Sequence, residues 1–132
     1  MVAFPSSRVG EAALAAAAII LAYTSSWLCV RAVPTLGKQW TYAARVSKGH
    51  ELITQGPYGV VRNPIYLGMF GLILSTCLAF SRWWGGLAAV VLVLIGNRIR
   101  IHTEEQRLRE TFGEQFAEYA RRVPAFIPQP WR

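Results

Sequence analysis

Three apolar runs free of charged residues, Ala12 to Val30, Ile65 to Phe80 and Trp83 to Ile95, constrain this chain more than any other feature. Crossing the hydrocarbon layer takes about 20 helical residues. In lipid every backbone N–H and C=O must be satisfied within the segment, so isolated runs of this kind are helices. The first run is broken only by Thr24, Ser25 and Ser26. Arg8 followed by alanines also resembles a secretory signal peptide, but no small-x-small cleavage site follows and two more apolar runs do. We therefore expect spans at 12–30, 65–81 and 83–99, the third continuing as a more polar helix. The second run is short for a crossing; Arg82 can snorkel and Trp83-Trp84 suit an interfacial belt. A tight hairpin is expected from Ser81 to Gly86. The expected fold is all-α: an integral membrane protein with three transmembrane helices and a C-terminal amphipathic helix, one domain over residues 1–132.

Charge then sorts the partners. The chain is 53% hydrophobic and only 16% charged, with a net charge of +7. A nucleic-acid binder of that charge would be richer in charged residues on a soluble face, so no nucleic acid is expected. Segment 31–62 holds five Lys or Arg and segment 98–132 holds seven, against Arg8 and Arg82 elsewhere. The positive-inside rule puts both basic segments in the cytosol, the N-terminus outside and the C-terminus inside, in an inner or plasma membrane. Cys29 and Cys77 both lie in apolar runs and read as small core residues, with no metal site.

Polar chemistry concentrates where the loop 31–62 meets the second run. His50 to Tyr66, HELITQGPYGVVRNPIY, contains a Gly56-Pro57 turn and ends with Pro64 suited to a first helical turn. Trp40 and Tyr42 in the loop are expected as interface anchors. At the end of the third run stand Asn97, Arg98, Arg100, His102, Glu104 and Glu105. Arg100 and Glu104 are i and i+4 on one face, an ordinary helical ion pair or a site for a ligand bearing both charges. Unpaired charge near lipid calls for a partner, protein or ligand. From Glu104 to Arg122 five of the seven acids interleave with arginines, and Leu108, Phe112, Phe116, Tyr119 and Val123 form one apolar stripe. An amphipathic helix is expected over 103–122, weakened at Gly113 and ended by Pro124. No GxGxxG after a strand, Walker loop, CxxC pair, GxSxG or HExxH occurs.

GHELITQGPYGVVRNPIYLG, followed after one apolar span by RIRIHTEEQRLRETFGEQFAEYARRVPAFIP, resembles the isoprenylcysteine carboxyl methyltransferase family of integral membrane enzymes. That family's pattern is a His-x-Leu-Val-Thr-x-Gly-x-Tyr run, an Arg-His-Pro-x-Tyr-x-Gly helix start, an Arg, a Glu pair, Phe-Gly and Val-Pro-x-x-Ile-Pro. The resemblance covers residues 49–128 and implies S-adenosylmethionine bound at the cytosolic helix ends. It implies cofactor contacts from His50, Glu51, Leu52, Ile53, Tyr58, Asn63, Pro64, Ile65, Tyr66 and Glu104, with Arg100 orienting the substrate and Glu105 supporting the pocket. The family's His stands here as Asn63, which keeps hydrogen bonding but loses a titratable ring. The implied acceptor is a lipophilic carboxylate arriving from the membrane lipids. The chain is shorter than many members, which leaves a homo-oligomer open.

Rival readings are a phospholipid N-methyltransferase, in which Arg100 would hold phosphate, and an NADPH-dependent membrane ene-reductase, for which Lys38, Arg45 and Lys48 could supply basic contacts. A non-catalytic membrane protein is the third.

Overall fold

The structure, a computed structural model, describes residues 7–37, 51–80 and 83–127. Those residues form helices and turns and no strand: α1 (Arg8–Leu36), a 3₁₀ turn (Gly56–Gly59), α2 (Pro64–Phe80), α3 (Trp83–Phe112) and α4 (Glu114–Arg122). Helix α1 starts at Ser7, whose Oγ accepts from the Gly10 N–H at 3.2 Å, a standard N-cap, with Glu11 favourably placed in the first turn. It ends two residues after Pro34, an internal proline that withholds a backbone donor. Two helices, Arg8–Leu36 and Trp84–Phe112, are long and apolar enough to cross a membrane, while α2, at 17 residues, is a shorter apolar helix.

Helix α2 lies on α1 along a seam of small side chains. Ala18, Ser25 and Ala32, spaced seven apart, are buried on α1, and Gly68, Gly71 and Ser75 are buried on α2. A Cβ on Gly71 would run into the Ser25 hydroxyl and stand 3.1 Å from Ser25 Cβ; one on Gly68 would meet Cys29 Sγ and stand 3.0 Å from the Ser25 carbonyl oxygen. Lipid supplies no hydrophobic drive between helices, so close van der Waals approach through small residues is what joins such a pair. The outer faces of α1 and α3 expose Ile19, Ile20, Tyr23, Val30, Leu87, Val91, Leu92 and Ile95. Those faces suit acyl chains as their solvent.

The structure differs from the sequence expectation at three places. Helix α1 reaches Leu36 instead of stopping at residue 30. Helix α3 already begins at Trp83, so most of the expected 81–86 hairpin is helical; residues 81 and 82 lie outside the described part. Helix α3 does continue as a more polar helix, but it runs without interruption to Phe112, so the separate helix expected to start at 103 does not form. Gly113, at φ 51°, breaks the expected 103–122 helix and leaves α4 as nine residues. Such a φ is open to glycine and strained for other residues, which lets α4 turn back. Its Phe116 and Tyr119 are then buried while Glu114, Glu118, Arg121 and Arg122 stay exposed. Phe116, Val61 and Pro64 are the largest fully buried side chains, so the tightest packing lies where α4 meets the residues leading into α2.

Candidate active site

The loop before α2 is shaped by its own backbone. Gly56 takes φ 58°, and the carbonyl of Pro57 accepts from the N–H groups of both Val60 and Val61, at 3.2 and 3.1 Å. This winds the chain tightly enough to bury Tyr58, whose carbonyl accepts from the Tyr119 hydroxyl at 2.6 Å. Burial raises the pKa of the Tyr58 phenol and pushes that of Tyr119 up to about 12, so both are neutral donors at ordinary pH.

Arg62 and Asn63 then fasten the C-terminal segment. Arg62 forms a two-pronged pair with Glu105, Nε to Oε1 at 2.9 Å and Nη2 to Oε2 at 3.0 Å. Its Nη1 donates to the carbonyls of Ala120 and Val123, at 2.9 and 2.6 Å, and its backbone N–H to Pro124 at 2.8 Å. Asn63 Nδ2 donates to Glu105 Oε1 at 3.0 Å and to the Ala125 carbonyl at 2.9 Å. Planar guanidinium geometry suits this bidentate grip. Phe126 adds an edge-on contact with Phe70 of α2, centroids 5.8 Å apart.

Glu104, adjacent to Glu105 on α3, faces a different space. Successive helical residues are rotated by about 100°, so one carboxylate of the pair closes the clamp and the other enters a cleft of about 630 Å³. Tyr66 donates its hydroxyl hydrogen to Glu104 Oε1 at 2.5 Å, and the same hydroxyl accepts from Arg100 Nε at 3.1 Å. Arg100 itself stands 3.9 Å from Glu104 Oε1 and is largely exposed. Asn97 Nδ2 donates to the Tyr66 carbonyl at 3.4 Å, joining α3 to the first turn of α2. Leu36, Ile65 and Met69 give the cleft an apolar wall. A carboxylate, a guanidinium and a phenol thus converge beside a greasy surface. That arrangement can hold a ligand carrying both charges next to an apolar chain.

Tyr58, Asn63, Pro64, Ile65, Tyr66, Arg100 and Glu104, all singled out from sequence, line this one cleft. Glu51, Leu52 and Ile53 do not, and His50 lies outside the described residues, as do Trp40, Tyr42, Lys38, Arg45 and Lys48. Sequence reasoning counted Arg62 in the polar stretch 50–66 and among the basic residues of the loop 31–62 but gave it no role of its own, and left Leu36 as a loop residue and Met69 as a plain span residue. The signal for Arg62 was its place beside Asn63-Pro64 with a Glu pair still to come in the chain.

Residues 13–115 match the family model described as phospholipid methyltransferase. The chain is 32% identical over 99 residues to protein-S-isoprenylcysteine O-methyltransferase B of Arabidopsis thaliana, covering 74% of this chain and 50% of that protein. It is 32% identical over 104 residues to the human protein-S-isoprenylcysteine O-methyltransferase, covering 76% and 37%. It is 38% identical over 102 residues to the cobalt-zinc-cadmium resistance protein CzcN of Cupriavidus metallidurans, covering 72% and 44%. The chain therefore spans half the length, or less, of these curated relatives. With the motifs of residues 49–128 and these matches together, the chain belongs to the phospholipid methyltransferase family, alongside the isoprenylcysteine carboxyl methyltransferases that its sequence resembles.

Proposed function

We propose that this chain carries out S-adenosylmethionine-dependent methyl transfer to a lipophilic carboxylate of the isoprenylcysteine type, at the cytosolic face of a membrane crossed by α1, α2 and α3. The observation that carries this reading is the cleft in which Glu104 and Arg100 are joined through Tyr66 beside an apolar wall. The donor set fits the cofactor. Both contacts of Glu104 are made by Oε1, and Oε2 has no partner among the described residues, which suits a carboxylate receiving an ammonium group. Bound S-adenosylmethionine would supply a methyl group activated by a sulfonium.

The chain's own residues then have a limited task. A carboxylate acceptor is already ionised, so its methylation moves no proton, and alignment with exclusion of water is the main requirement. Arg100 offers the acceptor a planar fork of donors, and Tyr66 holds that guanidinium in register with Glu104. Asn63, with its amide nitrogen engaged twice in the clamp, contributes to the wall of the cofactor side without titrating. His50, Glu51, Leu52 and Ile53 are assigned to the cofactor by family resemblance alone. The names of the plant and human relatives support the acceptor class.

A second reading, methylation of a lipid amine, is favoured by the description of the family model. An amine would need a proton acceptor, for which Glu104 through Tyr66 is the nearest group. One experiment covers both readings: calorimetry of the detergent-purified protein with S-adenosylmethionine, S-adenosylhomocysteine and NADPH, then labelled methyl transfer to prenylated carboxylates and to phospholipid extracts. The expected result is binding of the two sulfur compounds but not NADPH, with label in a base-labile ester. Stable N-methyl label would replace the acceptor, and folded protein that binds neither sulfur compound would end the reading.

A further inference from the structure

The loop that walls the cleft has a second surface. Tyr58, Arg62 and Asn63 face the cleft, whereas Gly56, Pro57, Val60 and Val61 line a separate notch of about 330 Å³ closed by Trp27, Leu28 and Arg31 of α1 and Leu67 of α2. Leu67 is two residues from both Ile65 and Met69, about 200° around the helix, so the notch opens away from the cleft.

Its lining is apolar apart from one charge. The Arg31 guanidinium lies over the Trp27 ring, 5.8 Å from its centroid, and no carboxylate among the described residues is within ion-pair distance. Arg31 immediately follows the uncharged run ending at Val30, so its charge sits at the level where headgroups begin. Trp27 is 56% exposed and Val60 59% exposed, which gives the rim apolar surface for acyl chains. A cation with no acid partner among the described residues, stacked on an interfacial indole above an apolar groove, complements a phosphate attached to hydrocarbon.

We propose that this notch binds one anionic phospholipid of the cytosolic leaflet, its phosphate on Arg31 and its chains against Leu28, Val60 and Leu67, bracing the back of the active-site loop. This rests on the membrane placement given above and is independent of methyl-transfer chemistry.

The test reconstitutes the full chain in vesicles of phosphatidylcholine with a minority of phosphatidylglycerol, then measures the lipids retained by native mass spectrometry and the binding of S-adenosylhomocysteine. Wild type should retain phosphatidylglycerol over its vesicle fraction, and Arg31→Gln should lower that preference roughly fivefold, the ratio that corresponds to about 1 kcal/mol for one basic residue at an anionic surface. Arg122→Gln, with the same loss of charge on exposed α4, should keep it. An unchanged preference in Arg31→Gln, an equal loss in Arg122→Gln, or displacement of the lipid by inorganic phosphate at matched concentration would overturn the proposal. A phosphatidylglycerol preference without S-adenosylhomocysteine binding would support the notch and remove the methyltransferase reading; the reverse pattern would remove the notch alone.

Discussion

Truncating Arg62 to Ala should open the C-terminal segment. Four side-chain hydrogen bonds disappear, two to Glu105 and two to the carbonyls of Ala120 and Val123. At roughly 1.5–3 kcal/mol for each charge-assisted bond, simple addition gives about 6–12 kcal/mol, as much as the stability of many whole proteins. That sum overshoots because the bonds are not independent. Removing one partner of a buried pair costs about 3–5 kcal/mol in practice. Here Arg62 and Glu105 keep 13% and 17% side-chain exposure, and Asn63 still donates to Glu105, so the low end applies, about 3 kcal/mol. The lost contacts all tie residues 105 and 120–123 to the loop, so the loss should appear as local opening of α4 and residues 123–127. At about 1.36 kcal/mol per decade, the opening equilibrium rises roughly 150-fold. Hydrogen exchange of peptides from 114–127 in detergent micelles measures it directly, and Glu105→Ala should do the same. The double variant should cost clearly less than the two singles together, and Arg62→Met with Glu105→Met should recover part of the loss. Wild-type exchange rates across 114–127 in Arg62→Ala, or strictly additive losses in the double variant, would refute the reasoning.

Three further outcomes follow from the same contacts. Glu104→Gln should weaken S-adenosylhomocysteine binding at least tenfold with little change in thermal midpoint, while Arg100→Ala should spare that binding and lower turnover; calorimetry and methyl-transfer assays separate the two, and equal affinity in wild type and Glu104→Gln would remove the role given to that carboxylate. Gly71→Ala forces a methyl group into the Ser25 hydroxyl and should destabilise the α1–α2 seam by about 1–3 kcal/mol, the usual range for overpacking, as read by denaturation in mixed micelles; a neutral result would mean that the two helices slide apart easily. Tyr119 has its pKa raised by burial from 10.0 to about 12. The unfolded chain therefore ionises first, so stability is intact below about pH 10 and falls as pH rises toward about 12. Tyr58 is shifted in the same direction. The thermal midpoint should fall more steeply across that window in wild type than in Tyr119→Phe, and parallel curves would contradict the assignment.

How much of this was legible in the sequence depended on whether local or distant residues decide the outcome. The helices over the uncharged runs were legible because lipid leaves a backbone few alternatives. The end of α3 was legible in part. The run from Trp83 to Ile95 reads as continuing in a more polar helix, and it does, but composition gives no sign that this helix runs unbroken through residue 103 to Phe112. Gly113 was visible as a weak point, but not the positive φ by which it turns α4 back and lets Phe116 and Tyr119 be buried. Tyr66, Arg100 and Glu104 were readable from motif and helical spacing. The clamp joins residues 43 positions apart, a distance that no helical or strand period reports.

Arg62 and Arg100 show the limit most clearly, because in a charge count the two are identical. One has its side chain 13% exposed and all three guanidinium nitrogens engaged by Glu105 and two carbonyls, so it organises the protein. The other is 72% exposed, touches among the described residues only a phenol at 3.1 Å and a carboxylate at 3.9 Å, and still has donors to offer. Sequence placed both at the membrane edge; burial divides them into the arginine that builds the site and the arginine left to meet a ligand. The same division applies to the neighbouring carboxylates, Glu105 saturated by the clamp and Glu104 with one oxygen open among the described residues, so the two structural charges pair with each other in the clamp and the two available charges face each other across Tyr66 in the cleft.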